Sequence, residues 1–161
     1  MSDESELRAA FRGMRGVSLP PDEMRQRVMD ARVARLATVS GDGQPHVVPA
    51  CFAVADNVIY TAVDAKPKKS TRLRRTANVE ATGVAALLVD WYDEDWSQLW
   101  WVRVDASARV VRDDAERTHA LTALERKYSQ YAEMPPEGDV IALDIRHWSS
   151  WTASQSSDST R

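Results

Sequence analysis

The chain has 161 residues, a formal net charge of −3 and a hydrophobic share of 43%. A chain of this length buries roughly 70% of its unfolded surface on folding, so it needs no disulfide or metal staple. Its one cysteine, Cys51, excludes an internal disulfide framework and a Cys-based zinc cage. No run approaches the ~18 apolar residues of a membrane span, and the acidic opening Met-Ser-Asp-Glu-Ser-Glu has no signal-peptide core. Mild acidity argues against general nucleic-acid binding. The expectation is one cytoplasmic domain with neither a membrane nor a nucleic-acid partner.

In chain order, residues 1–19 mix charges with Gly13 and Gly16 and read as a flexible arm. The domain proper spans 20–153, and the Ser-rich stretch 154–161 reads as a disordered tail. Pro21-Asp22-Glu23 opens a short helix over 23–31, with acidic residues suiting its first turn. Residues 33–39 read as a strand, Gly41-Asp42-Gly43 as a turn, and 45–54 as a second strand. A third strand follows over 58–63. Leu73 and Ala77, four apart, suggest a short helix over 68–76, with Pro67 near its start. Long strands are expected over 79–89 and 99–111. Asp113-x-x-Glu116 is a helix-entry signature. Leu121, Leu124, Tyr128 and Tyr131 then share one helical face, closed by Pro135-Pro136. A last strand covers 140–148, where Ile141, Leu143 and Ile145 alternate with polar or small residues.

The first three strands, joined by tight turns, are antiparallel, and six strands in all with short helices over their ends indicate a mainly β (α+β) antiparallel barrel, closed or nearly so. Residues 47–54 and 84–89 are apolar on both faces. One face of a small antiparallel barrel should be wet, so the second apolar face needs cover, and a twin subunit supplies it.

One charge cluster breaks the acidic balance. Of 21 basic residues only four are Lys, and three of these are Lys66, Lys68 and Lys69. Residues 64–75 hold six cations (the three lysines with Arg72, Arg74 and Arg75) against one anion, Asp64. A helix start beside Lys68, Lys69, Ser70 and Thr71 presents free N–H groups, a positive dipole end and point charges to an anion. Arg72 and Arg75 lie on a face that continues toward a longer polyanion. The plainer reading is a solvated helix face.

Other signals are weaker. Pro49 cannot donate to a ladder, so it marks a strand edge or bulge. Cys51 reads as a small buried residue, and His46 as a polar strand residue able to hydrogen-bond a cofactor. All six Trp fall in the second half. Trp100 and Trp101 point to opposite faces of one strand, and Trp148 or Trp151 could wall a flat ligand. No His or His/Glu spacing suggests a metal, and no dinucleotide fingerprint, nucleophile elbow or phosphate loop is present.

Three segments together resemble a known superfamily: Ala37-Thr-Val-Ser-Gly-Asp-Gly-Gln-Pro-His-Val-Val-Pro49, Val58-Ile-Tyr-Thr61, and Lys69-x-x-x-Leu73-x-x-x-x-Asn78-Val79. The set is similar to the pyridoxamine 5′-phosphate oxidase-like split β-barrel superfamily. The Pro-His-x-x-Pro strand and the closing Arg146-His-Trp-Ser-Ser-Trp151 resemble its actinobacterial branch, which uses the deazaflavin coenzyme F420. The resemblance covers about residues 23–152. It implies a six-stranded split barrel of the FMN-binding type, a homodimer, and a cofactor at the subunit interface. It places Lys69 on the cofactor phosphate, with Lys68 and Ser70 beside it, although the longer turn after Thr61 lets Lys66 or Lys68 take that role. It lays Pro49, Ala50, Cys51 and Phe52 along the ring. FMN-using members carry an Arg on the second strand where this chain has Val48, which favours F420 over FMN.

The implied activity is hydride transfer between the deazaflavin and a flat conjugated small molecule. No proton donor stands out. The alternatives are an FMN-dependent enzyme, or a non-catalytic flavin-, deazaflavin- or haem-binding protein with His46 or His147 as haem ligand.

Overall fold

The computed structural model describes residues 16–64 and 73–153. Strand β1 (Gly16–Val17) leads into α1 (Pro21–Asp30), where Pro21 suits the first helical turn and Asp22 and Glu23 face the positive dipole end. Then β2 (Ala34–Val39) and β3 (Pro45–Ala50) form a hairpin whose turn uses Gly43 at φ 88°. A second hairpin joins β4 (Ala53–Ala55) and β5 (Val58–Ala62). Helix α2 (Arg74–Thr82) precedes the long pair β6 (Val84–Trp91) and β7 (Trp100–Val110). Helices α3 (Asp114–Lys127) and α4 (Ser129–Glu133) come before β8 (Val140–Ala153). The strands form one curled antiparallel sheet in the order β3-β2-β6-β7-β8-β5-β4, with β1 against β8. This is the expected split-barrel fold, with the second strand divided and a short strand added.

Several expected boundaries are corrected. The strand expected over 45–54 breaks at Cys51-Phe52: β3 pairs with β2, and β4 with β5. Phe52 is drawn fully into the core there, and the Tyr128 hydroxyl takes over its backbone hydrogen bonds at 3.0 Å. The helix expected over 68–76 lies partly outside the described residues. Its described part runs on to Thr82, so residues 79–82 are helical where a strand was expected. Buried Thr76, Asn78 and Val79 dock this helix, with Asn78 donating to Thr38 Oγ1 at 3.0 Å, and Gly83 in the left-handed region (φ 69°) ends it.

The helix after Asp113 divides at Tyr128, where the backbone is extended. The last strand continues five residues past Trp148, because β7 offers a ladder as far as Trp100↔Thr152. Ahead of residue 20, β1 already pairs with β8. Val17 pairs with Thr152, Leu19 is buried, and the Trp151 indole fills the space where a Cβ on Gly16 would sit. Residues 1–15 and 154–161 lie outside the described residues.

The core has two parts. The concave side of the sheet encloses Leu36, Phe52, Ile59, Leu87, Val104 and Leu143. The opposite side of β5 and β8 packs Tyr60, Val140 and Ala142 under Ala120, Leu124 and Tyr128. Arg109 of β7 fastens that layer by bonding Glu116 (2.7 Å) and Asp144 (3.0 Å), and the Tyr60 hydroxyl donates to Glu116 at 3.0 Å. Burial and the Glu116 carboxylate push the Tyr60 phenol up to about 12, so it stays a donor. Helix α3 thus covers the second apolar face of β5 and β8. Among the described residues nothing covers the corresponding face of β2, β3 and β6: Val47 is 61% exposed and Val84 49%.

Candidate functional site

A cleft of about 180 Å³ forms where the end of β3 meets the end of β5 and the start of α2. Pro49, Ala50 and Cys51 make one wall, Thr61, Ala62 and Asp64 another, and Arg75 and Tyr131 stand at its sides. The break between β3 and β4 creates this space, because the chain leaves one wing of the sheet there and enters the other. The Tyr131 hydroxyl donates to Asp64 Oδ1 at 2.6 Å. Burial, then the bonded Asp64 carboxylate, pushes that phenol well above its ordinary range, so it remains protonated at neutral pH. β3 ends the sheet order, so its outer edge has backbone groups not used by β2.

Register extends the site across the open face. Pro49 lies opposite Arg35, which lies opposite Leu88, and Val47 lies opposite Ala37, then Ala86. Beyond Val47 is a groove of about 550 Å³, lined by Val39, Pro45, Val84, Ala86, Asp105 and Arg146. Pro45, Val47 and Pro49 alternate along β3, so cleft and groove belong to one continuous surface of exposed apolar side chains flanked by Arg35 and Arg75.

The sequence-predicted residues divide accordingly. Pro49, Ala50 and Cys51 come together in the cleft, and Cys51 is exposed rather than buried. Phe52 is fully buried, so its ring fills the core and does not line the cleft. His46 lies opposite Thr38 on the concave side, its Nδ1 buried with no hydrogen-bond partner among the described residues. Trp148 lies opposite Val104 and packs on the core, while Trp151 lies opposite Trp101 on the other face. Lys66, Lys68, Lys69, Ser70 and Arg72 lie outside the described residues. Sequence reasoning missed Thr61, Asp64, Tyr131 and Arg35. Strand alternation carries a signal for Arg35 alone, which shares its face with Pro49 once the register is known.

The family model described as pyridoxamine 5′-phosphate oxidase matches residues 20–152. The chain belongs to this family. Its fold is similar to that of an FAD-binding protein from Mesorhizobium loti, at 24% identity and a TM-score of 0.67, covering 89% of this chain and 100% of that one. It is also similar to the FAD-binding protein from Mycobacterium smegmatis (21% identity, TM-score 0.59, 86% and 99% covered). A third similar structure is HutZ, the haem storage protein from Vibrio cholerae (14% identity, TM-score 0.61, 84% and 90% covered). No curated protein matches the chain in sequence. These proteins of similar fold are named for different prosthetic groups, FAD and haem, so the fold alone does not select one.

That chemistry fits a flat ring with an anionic tail. Exposed small side chains at Pro49 and Cys51 allow close approach of a ring, the free edge of β3 offers backbone hydrogen bonds to its rim, and Arg75 and Arg35 offer charge. The cleft by itself is small: ligand pockets run to roughly 300–1,000 Å³, against about 180 Å³ here. No helix among the described residues is long and apolar enough to cross a membrane, and no cluster of His, Cys, Asp and Glu there could hold a metal ion.

Proposed function

We propose that the protein is a homodimeric, cytoplasmic oxidoreductase that binds coenzyme F420 in this cleft and passes a hydride between the deazaflavin and a flat conjugated small molecule. The observation that carries this reading is the continuity of the Pro49–Cys51 cleft with the uncovered face around Val47. The cleft alone is too small for a tricyclic ring and its tail. A twin subunit seated on that face would complete it and bury the exposed apolar side chains together.

The strand composition supports F420 over FMN. β3 reads Pro-His-Val-Val-Pro-Ala and carries no arginine on either face, and Val48 packs against the core. An anionic group must therefore be met from elsewhere. Arg75 lines the cleft, and Lys66, Lys68 and Lys69 precede it in sequence. The bound coenzyme supplies the hydride chemistry. The protein's residues position and shield it: the edge of β3 orients the ring rim, Arg75 and the lysines hold the tail, and the dimer seam excludes water.

The test is a set of fluorescence or absorbance titrations of the purified protein with reduced F420, FMN, FAD and haemin. F420 is expected to bind at least about tenfold more tightly than FMN, and Arg75→Ala to weaken it about tenfold, the worth of one charge-assisted hydrogen bond. Lys69→Ala tests the anchor assigned from the resemblance in the same way. Tight FMN or FAD binding without F420 binding would establish the flavin alternative. Tight binding of any of these with no turnover toward any acceptor would establish a carrier.

A further inference from the structure

A larger cavity, about 430 Å³, opens between the end of α1, the edge strand β4 and the outer side of α3, and it shares no lining residue with the cofactor cleft. Its floor is apolar: Ala53, Val54 and Ala55, continued by Ala123 and by Met29, which is 42% exposed. His119, Thr122, Ala123 and Arg126 follow the i, i+3, i+4, i+7 spacing, so one stripe of α3 faces the cavity. Basic groups gather at the helix end, where Arg126 is exposed and Lys127 half-buried. Asp56 is the one carboxylate among the lining residues.

Lys127 is the anomaly. Its Nζ is buried, has no hydrogen-bond partner among the described residues, and sits 3.7 Å from the centre of the Phe52 ring. Three ammonium donors without an acceptor are unfavourable, and a cation–π contact offsets only part of that. The groups that act on it are Arg32, Cys51 and Asp30, with Arg126 next in the chain. Asp30 already accepts from Gln26, and Arg32 bonds the Lys127 carbonyl at 2.8 Å. A flexible four-carbon stem lets the ammonium swing from the ring into the cavity.

We propose that this cavity is a binding site for a small monocarboxylate with an apolar chain. The carboxylate bridges Arg126 and Lys127, and the chain lies on Ala53–Ala55 and Ala123. Two cations against Asp56 leave a single excess positive charge, which a monoanion neutralises and a dianion overfills. The apolar floor selects a tail over a bare anion, and the missing acceptor at Lys127 is supplied by the ligand. Burial, then the nearby Arg32, lowers the Lys127 ammonium from 10.5 to about 8 in the free protein, so affinity should fall as pH rises through that value and the donor is lost.

Octanoate, acetate and octylammonium are the probes, followed by titration calorimetry on the intact protein. Octanoate is expected to bind with a Kd on the order of 1 mM or lower, and acetate and octylammonium at least about tenfold more weakly. Arg126→Gln, a change at an exposed side chain, should weaken octanoate about tenfold. Lys127→Arg should retain binding and abolish its pH dependence between pH 7 and 9.5, whereas Lys127→Met should lose binding. Failure of octanoate to bind, equal binding of octanoate and acetate, or an unchanged affinity in Arg126→Gln would each overturn the proposal.

Discussion

The Tyr128 hydroxyl closes the corner between β3 and β4. It accepts the Phe52 N–H at 3.0 Å and donates to the carbonyl of Phe52 or of Arg32, each also at 3.0 Å. Burial raises the phenol above its ordinary range, so the donor persists through neutral pH. Tyr128→Phe keeps the ring and removes the partner of a buried N–H. The expected cost is about 1–3 kcal/mol, a fall in Tm of roughly 3–10 °C for a domain of this size, measurable by calorimetry. A fall below about 1 °C would show that the hydroxyl does not hold the corner. The helical spacing foretold that Tyr128 would be buried. Its hydrogen bonds were not legible, because Phe52 and Arg32 lie 76 and 96 residues away. The same blindness applies to Phe52: a strand read as continuous gives no sign that its eighth residue turns inward to fill the core.

Elements were legible where capping or turn chemistry is local. Asp113 caps α3 as expected, its carboxylate accepting the Glu116 N–H at 2.8 Å. The hairpin at Gly43 likewise needed only neighbouring residues. The α2–β6 junction misled because Val79, a β-branched residue before more apolar positions, favours a strand by propensity. Tertiary packing overrides it: Val79 and Asn78 are buried, and the chain turns at Gly83. The structure makes Gly83 the decisive signal. A Cβ there has room, with Ala108 O the nearest atom at 3.8 Å, so the strain of Gly83→Ala is conformational and comes from its φ of 69°. The expected loss is about 1–2 kcal/mol, read as a lower urea midpoint with an unchanged slope. An unchanged midpoint would mean that the helix end shifts to absorb the substitution.

At the scale of the whole molecule, the two wings of the sheet solve one problem differently. Both carry apolar side chains on the face away from the main core. On β5 and β8, helix α3 covers them. On β2, β3 and β6, nothing in the chain's described residues does, and Val47 and Val84 stand 61% and 49% exposed. A surface of that kind, continuous over several strands, is the mark of an interaction site. A twofold copy is the partner that needs no further component. The substitution Val47→Asp tests this directly. At so exposed a position its effect on the isolated fold should stay within about 0.5 kcal/mol, so circular dichroism and Tm per protomer should report a folded chain. A buried charge at the centre of the proposed seam is costly because it is unpaired, so light scattering should report a monomer. The proposed cofactor cleft holds only about 180 Å³ in one chain, so on the dimer proposal the same variant should lose F420 binding although residue 47 lies outside the cleft lining. A variant that stays dimeric would place the twofold elsewhere. A monomer that binds F420 as tightly as the parent would show that the cleft is complete within one chain, and the proposed shared site would fall with it.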